Sequence, residues 1–274
     1  MSLRDILVYM DDTPSAGVRL DAAIGLAQVH GAQVAGLFVR TPSQVPHWMV
    51  APLGPDVVEV HAEFIRRAEV RAEAVFRTRI ESAGLEADWH SVEGDRDEML
   101  VRIGRSTDLV VMGRAPSGKK IDLEKRFIAN VVLALGRPVL VIAAPAPTLV
   151  GRNILVAWDG SREASRALND AIALLRKADT VTVMTVGESD GGCLNEETPA
   201  VCRHLKLHGV RATTWEADED DGVKGKLLLA KASEIGADLI VCGAYGRSSL
   251  KDLVLGGTTR YLLRHAPISL LMSH

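Results

Sequence analysis

A group of glycine and threonine residues near the C-terminal end has the composition of an anion-binding loop. Two glycines are separated by nine residues from two more glycines and two threonines, which gives Gly243, Gly246, Gly256, Gly257, Thr258 and Thr259. Glycine has no Cβ, so backbone N–H groups in such a loop can approach an anion closely. A helical pattern follows at 260–264, and the unpaired N–H groups of a helix N-terminus favour negative charge. The spacing predicts a phosphate site, although glycine turns and a threonine helix cap explain any single one of these residues equally well.

The sequence repeats itself. Residues 4–24 are similar to residues 152–172, so that Ile6 aligns with Ile154 and Asp11 with Asp159. Later segments also match, 108–113 with 238–243 and 138–142 with 267–271. We therefore expect two copies of one domain, residues 1–146 and residues 152–274, with a proline-rich seam at 144–151.

Short apolar runs alternate with longer helical patterns in each copy. The runs at 6–9, 33–39, 87–92, 109–112 and 139–143, and those at 154–157, 181–186, 210–216, 239–242 and 268–272, are predicted strands. Helical patterns lie between them, for example at 15–29, 59–83 and 163–177; in the second, Phe64, Ala68, Ala72 and Val75 recur at helical spacing. Continuous apolar strands that alternate with helices predict an α/β fold with parallel, doubly wound sheets. Ligands of such sheets bind beyond the carboxyl ends of the strands.

The glycine segment resembles the universal stress protein family, the UspA-like branch of the Rossmann-like nucleotide-binding folds. The family pattern is Gly, two residues, Gly, nine residues, Gly, and then Ser or Thr. Gly243, Gly246 and Gly256 match it, and Gly257 stands where the family has a hydroxyl. The resemblance covers the chain, from ILVAWDGSREASRAL at 154–168 to the ending at 239–271. It implies a tandem protein of two UspA-like domains, each a five-stranded parallel sheet with helices on both faces.

The resemblance also implies a ligand, which is ATP, with AMP and ADP as alternatives and Mg²⁺ left open as an accompanying ion. In this family an Asp at the end of the first strand meets adenine, the end of the second strand borders the base, and the glycine loop holds the phosphates and ribose. Arg247 either adds charge beside a phosphate or is an ordinary exposed arginine, and Trp158 either stacks on the base or packs in the core. The expected contact residues are Ala157, Trp158, Asp159, Val186, Cys242, Gly243, Gly246, Arg247, Gly256, Gly257, Thr258 and Thr259.

The first copy has lost this pattern. Gly113 remains, but Pro116 replaces the second glycine and has no N–H to donate. Phe127 and Ile128 fall where the second copy has Gly256 and Gly257. We therefore expect residues 1–146 to form a degenerate domain that does not bind nucleotide in the family manner.

Several weaker patterns have two explanations each. Cys202, His204 and His208, with Cys193, suggest zinc, but the spacing is not that of a zinc finger, and we predict no metal site. The acidic residues between 216 and 221 suit either Mg²⁺ or a solvated loop. The proline-rich insertion at 41–57, with Trp48 and Met49, is either a lid or partner surface or a connector without function.

Composition and missing motifs exclude several classes of protein. With 32 basic and 35 acidic side chains, the chain lacks the basic excess of a nucleic-acid binder. The apolar stretch at 138–150 is too short for a membrane span, and the first residues do not form a signal peptide. Three cysteines without a Cys-x-x-Cys pair predict a reducing cytoplasm. The sequence contains no Walker A motif and no Gly-x-Ser-x-Gly elbow, so we predict no catalytic residues.

The expected function is therefore a stress-response regulator that binds adenine nucleotide in residues 152–274 and hydrolyses it slowly or not at all. The alternatives are an interaction protein of the same fold that binds no nucleotide, and an enzyme that acts on adenylates. The family resemblance further implies that the fifth strands, 139–143 and 268–272, pair across the copies as an internal pseudo-dimer. The sequence leaves open a further homodimer and the identity of any protein partner.

Overall fold

The computed structural model of the chain describes residues 2–42, 56–114, 121–143, 149–187, 194–218, 224–246 and 257–274. In these ranges the strands are β1 Asp5–Met10, β2 Gln33–Arg40, β3 Ala87–Glu93, β4 Leu109–Gly113, β5 Val139–Ile142, β6 Asn153–Trp158, β7 Thr180–Gly187, β8 Thr213–Asp218, β9 Leu239–Gly243 and β10 Ser269–Ser273. The helices are α1 Pro14–His30, α2 Asp56–Ser82, α3 Arg96–Gly104, α4 Ile121–Leu135, α5 Arg162–Leu175, α6 Leu194–Leu207, α7 Lys224–Glu234 and α8 Gly257–His265. The predicted α/β fold is confirmed.

All ten strands belong to one sheet with the order β3-β2-β1-β4-β5-β10-β9-β6-β7-β8. The strands pair in parallel within each half of the chain. β5 and β10 pair antiparallel, with Leu271 opposite Leu140. This is the predicted pairing of the fifth strands, and it turns two five-stranded sheets into one continuous sheet. Because the two strands run in opposite directions, the carboxyl ends of the parallel strands lie at opposite edges of the sheet in the two halves.

Helices cover both faces of the sheet. On one face, α1, α2, α5 and α6 contribute Leu20, Phe76, Leu168 and Leu205 to a buried apolar cluster. On the other face, α3, α4, α7 and α8 contribute Leu100, Val131, Leu228 and Leu262 to a second cluster. Alternate residues of each central strand point to the two clusters, which is why these strands are apolar throughout.

The edge strands differ from the predicted continuous runs. In β3 the burial alternates over much of the strand, as expected where one face is only partly covered. The strand predicted at 210–216 begins only at Thr213. Gly209 has a left-handed φ of 78°, and the Val210 N–H donates to the Leu205 carbonyl, so residues 209–210 close α6 instead of starting a strand.

The buried face of α2 also differs from the predicted stripe. Ala68 and Ala72 are buried as expected, but Phe64 and Val75 are exposed. Phe76 and Ile80 complete the buried face. Val75 and Phe76 are three and four residues after Ala72, so helical spacing allows either one to join the buried face. Phe76 is the one that faces the sheet.

Some predictions fall on residues outside the described ranges. These include most of the insertion at 41–57, most of the seam at 144–151, and Pro116, Cys193, Arg247 and Gly256. Within the described residues, every helix is either too short or too polar to cross a bilayer.

A substitution at the junction of the two half-sheets should destabilise the protein. Leu271 is fully buried and lies opposite Leu140 across the antiparallel pair. We expect Leu271→Ala to lower the free energy of unfolding by about 2–5 kcal/mol, because it leaves a cavity between the halves. Urea denaturation measures this change. Leu207→Ala, at an exposed position of α6, is the control and should change it by less than about 0.5 kcal/mol; equal effects would show that the junction is not tightly packed.

Candidate functional site

A cavity of about 280 Å³ lies at the carboxyl ends of the strands of the C-terminal half. It opens beside the neighbouring strands β6 and β9. From β6 the chain continues to β7 on one side of the sheet, whereas β9 lies on the other side, so the order of the strands reverses between β6 and β9. Open α/β sheets bind ligands at such switch points. The cavity is lined by Ala157, Trp158, Asp159, Ser161, Ala164, Met184, Lys224, Leu228, Cys242, Gly243, Tyr245, Gly246, Gly257, Thr258 and Thr259.

Most of the predicted contact residues line this cavity. The structure brings together Ala157, Trp158, Asp159, Cys242, Gly243, Gly246, Gly257, Thr258 and Thr259. Arg247, Gly256 and the side chain of Val186 are outside what the structure describes. Met184, on the same strand as Val186, lines the cavity. Gly257 was expected in a loop, but it begins α8, so the two threonines belong to the first turn of that helix.

Asp159 has a structural role that explains its presence in both copies. Its Oδ1 accepts hydrogen bonds from the Ser161 N–H at 3.0 Å and from the Ser161 hydroxyl at 2.5 Å. Ser161 Oγ then accepts from the Ala164 N–H and caps α5. In the N-terminal half, Asp11 makes the same turn with the N–H and hydroxyl of Thr13. The repeated Asp is therefore required by the turn after the first strand and does not by itself indicate adenine binding.

Gly243 and Gly246 are glycines for different reasons. A Cβ on Gly243 would lie 2.5 Å from the Ala164 nitrogen, so this glycine allows the first turn of α5 to pack directly on the end of β9. A Cβ on Gly246 would meet only the end of a flexible side chain closely, the Glu163 Oε2 at 3.0 Å. Gly243 must therefore be a glycine because backbone atoms of α5 pack against it. At Gly246 a side chain would closely meet only the Glu163 carboxylate.

Trp158 and Ala157 point to opposite faces of the sheet. Trp158 packs against the cluster beneath α1 and α5, whereas Ala157 packs against the cluster on the other face, as Leu228 does. Of the two explanations for Trp158, core packing is the one that the structure supports. Trp158 also lines the cavity, because it is the last residue of β6.

Several lining residues were missed by the sequence analysis, namely Ser161, Ala164, Met184, Lys224, Leu228 and Tyr245. Ser161 carries a recognisable signal, since a Ser before a helical pattern is a typical N-cap. Lys224 and Leu228 carry none, because they reach the cavity only through the packing of α7 on the sheet. Tyr245 is buried in a left-handed conformation, with φ of 61°, and its N–H donates to Thr259 Oγ1 at 3.5 Å.

Burial controls the ionisation of two lining side chains. Burial, together with the nearby charge of Asp159, raises the pKa of Cys242 from 9.0 to about 12. Burial likewise raises the pKa of Tyr245. Both groups are neutral at physiological pH, so the floor of the cavity carries no thiolate, and a nucleophilic role for Cys242 is not supported.

Side chains occupy the corresponding position in the N-terminal half. Tyr9 stands where the other half has Ala157, and its ring meets the buried ring of Phe127 edge-on at 5.3 Å. The buried Arg19 forms an ion pair with Asp11 at 2.7 Å, and a Cβ on Gly113 would lie only 2.9 Å from its Nη1. The sequence predicted that Phe127 and Ile128 would fill this space. Both are buried in α4, and Tyr9 and Arg19 take part as well.

Known proteins resemble both the sequence and the fold. Residues 197–274 match the model described as the Universal stress protein family. A protein of Staphylococcus haemolyticus named as a universal stress protein is 28% identical over 141 residues, which are 45% of this chain and 85% of that protein. The crystal structure of a universal stress protein from Archaeoglobus fulgidus covers 98% of this chain and 97% of its own, with a TM-score of 0.74 and 20% identity.

The chain resembles the universal stress proteins, in sequence over residues 197–274 and in fold over almost its whole length. A second solved structure, a universal stress protein from Pseudomonas aeruginosa, agrees in fold over 99% of this chain and 93% of its own, with a TM-score of 0.63 and 18% identity. Both solved structures extend over almost the whole chain, which is consistent with two tandem domains of the UspA-like fold. At these identities the likeness concerns the fold, so the function of the cavity must be argued from its own residues.

The suggested zinc ligands do not assemble into a metal site in the part of the chain that is described. There, no three His, Cys, Asp or Glu side chains are placed to hold one ion. The rings of His204 and His208 lie 4.6 Å apart, and His204 Nε2 is 3.2 Å from Asn169 Oδ1. Cys193 lies outside the described residues.

The two glycines of the UspA-like loop should respond differently to alanine. Gly243→Ala places a methyl group against backbone atoms of α5 and should lower the free energy of unfolding by about 1–3 kcal/mol. Gly246→Ala requires only a shift of the Glu163 carboxylate and should change it by less than about 1 kcal/mol. Urea denaturation of the pair decides this. If Gly246→Ala were the more damaging, the close packing of α5 on Gly243 would be disproved.

The raised pKa of Cys242 predicts a loss of stability at alkaline pH. The folded protein keeps the thiol protonated up to about pH 12, whereas the unfolded chain releases this proton near pH 9. Between pH 8 and pH 10 the wild type should therefore lose about 1 kcal/mol more free energy of unfolding than Cys242→Ala does. Denaturation at the two pH values measures this difference. An identical pH dependence of the two proteins would contradict the burial of the thiol.

Proposed function

We propose that the C-terminal half binds an adenine nucleotide, preferentially ATP, and that the protein is a nucleotide-binding stress regulator of the cytoplasm. The observation that carries this proposal is the cavity at the switch point, where three separate stretches of the chain, 157–164, Met184 and 224–228, converge on the glycine segment. The residues assigned by resemblance come from the ends of β6 and β9 and from the start of α8. AMP and ADP are alternatives, and Mg²⁺ would accompany a polyphosphate.

The lining of the cavity is divided in a way that suits a nucleotide. Ala157, Met184 and Leu228 offer apolar surface, which suits the faces of a base. Gly246 and Thr258 supply backbone N–H groups and a hydroxyl, which suit ribose and phosphate oxygens. The volume of about 280 Å³ is near the lower limit for small-molecule sites, as expected for a cavity that opens to the solvent.

Among the described lining residues, the arrangement of side chains does not favour efficient hydrolysis. Asp159 is the carboxylate among the described lining residues, and its Oδ1 already accepts two hydrogen bonds from Ser161. Cys242 remains protonated. A base that positions water is needed for fast phosphoryl transfer, so hydrolysis of ATP is proposed to be slow or absent.

The two halves would then have different tasks. We assign nucleotide binding to residues 152–274 and a supporting or regulatory task to residues 1–146. Tyr9, Arg19 and Phe127 fill the corresponding space of the N-terminal half, and this supports the assignment. A homodimer and a protein partner are compatible with this division of tasks.

A specific observation favours a second candidate, an interaction protein of the same fold that binds no nucleotide. The Glu163 carboxylate lies next to Gly246, and a negative charge there opposes a phosphate. Gly257 also lacks the hydroxyl that is usual at its position in the family. Direct measurement of nucleotide binding separates the two candidates.

The cavity can be closed with the side chain that the N-terminal half already uses. Ala157→Tyr copies Tyr9 into the C-terminal half and should fill the space meant for the ligand. ATP at about 100 times its Kd should stabilise the wild type by about 2.7 kcal/mol and raise its Tm, whereas the Tm of Ala157→Tyr should not respond to ATP. Differential scanning fluorimetry with and without ATP measures both responses.

The matched control is Leu207→Tyr, which adds the same side chain at an exposed position of α6 outside the cavity lining. Its Tm should rise with ATP as that of the wild type does. Titration calorimetry without heat of binding for ATP, ADP or AMP at millimolar concentration would remove the proposal and leave the second candidate.

A further inference from the structure

The first part of α2 extends beyond the apolar core of the N-terminal half. The helix has 27 residues, and its first buried side chain is Ala68, which packs with Phe38 near the end of β2. Between residues 59 and 67 every side chain is exposed or only partly buried. A short stretch of helix with so little tertiary packing is marginal in water, so a further contact that stabilises it is expected.

The exposed side of α2 is unusually apolar. Half of the large apolar side chains that the structure describes as exposed lie on this one helix, namely Val60, Phe64, Val70 and Val75. Val60 and Val70 are each 67% exposed, and Phe64 is 60% exposed. Exposed apolar side chains that cluster in this way are typical of an interaction surface.

Two charged residues complete this surface. Steps of three, four and three residues lead from Val60 to Glu63, Arg67 and Val70, so the four side chains lie on one face of the helix, with Phe64 beside them. We call these five residues the α2 face. Along it the charge changes from acidic to basic.

The charges of the α2 face are available to a partner. Glu63 pairs with Arg66 and with Arg67 within the helix, each at 2.8 Å. The three side chains are between 42% and 71% exposed, so solvent screens these pairs. Exchange of one intrahelical pair for a pair with another chain therefore costs little.

We propose that two copies of the chain associate through their α2 faces, with the two helices antiparallel about a twofold axis near Ile65. In this arrangement Glu63 of one copy lies opposite Arg67 of the other, and Val60 lies opposite Val70. A parallel pair would instead set Glu63 against Glu63 and Arg67 against Arg67. A twofold contact uses the same surface on both copies, and this face is complementary to itself only in the antiparallel orientation.

The short contact implies a weak dimer. From Val60 to Val70 the helix rises only about 15 Å. Two helices that meet over this length bury less than the about 1,200 Å² of a standard stable interface. The dimer should therefore form at micromolar concentrations or above. This inference does not depend on nucleotide binding, because α2 belongs to the N-terminal half and the cavity to the other half.

Sedimentation equilibrium of the full chain between about 1 and about 300 μM tests the contact. The mass should rise with concentration from 29.5 kDa toward twice this value. Phe64→Ser should raise the Kd of the dimer about tenfold or more, because it removes the large apolar side chain beside the axis. The matched control is Leu207→Ser, which removes an apolar side chain that is 76% exposed on α6 and should leave the Kd unchanged.

Charge reversal tests how the copies face each other. Glu63→Arg alone and Arg67→Glu alone both set like charges opposite each other in a dimer, so each variant should remain monomeric. An equimolar mixture of the two variants should restore the dimer, because the reversed charges complement each other across the axis. Both variants lack the intrahelical pair of Glu63 with Arg67, so recovery in the mixture can come only from contact between chains.

Three results would overturn the proposal. The first is a wild type that stays at 29.5 kDa over the whole range; if Phe64→Ser then lowered the free energy of unfolding, the same chain would be what covers the α2 face. The second is a dimer that Phe64→Ser leaves unchanged. The third is a mixture of the two charge variants that stays monomeric.

Discussion

The antiparallel pairing of β5 with β10 is the interaction on which the arrangement of the whole molecule depends. Each half builds its own parallel sheet, and the fifth strand of each would otherwise present unpaired backbone groups at an edge. The pairing satisfies these groups and makes one sheet with a common apolar cluster that includes Leu140 and Leu271. Because the two strands run in opposite directions, the carboxyl ends of the parallel strands in the two halves face away from each other. Each half can therefore change its own edge without disturbing the other.

Side-chain volume at a few equivalent positions explains why the halves differ at those edges. Asp11 and Asp159 make the same turn after the first strand of each half, so both halves retain the structural part of the pattern. In the N-terminal half, Tyr9 and the buried Phe127 meet ring to ring and fill the space. In the C-terminal half, Ala157 leaves it open. The buried Arg19 neutralises Asp11, and the filled edge has become a part of the core with its own ion pair.

The glycine pattern of the UspA-like fold combines packing with ligand space. Gly243 is required because α5 packs on the end of β9, and a protein without a ligand would need it equally. Its presence therefore says little about phosphate. The open cavity that Gly243 lines says more about a ligand. Lys224 and Ala164 lie far apart in the sequence and belong to different helices, yet both line this space. The lining of the cavity thus depends on the packing of α5 and α7 on the sheet.

The sequence by itself determined the class of fold, the repeat and most of the strands, because apolar periodicity and turn residues act over short distances. It also identified the floor of the cavity at 157–159 and 242–246, since the carboxyl ends of parallel strands must meet at one edge. It placed the start of β8 three residues early and chose Val75 instead of Phe76, because local spacing permits both and only contacts with the sheet choose between them. Lys224, Leu228 and Met184 carry no local signal. Only tertiary packing brings these side chains to the cavity. The sequence does not show which residues of a helix will face the end of the sheet, because that depends on how the helix packs.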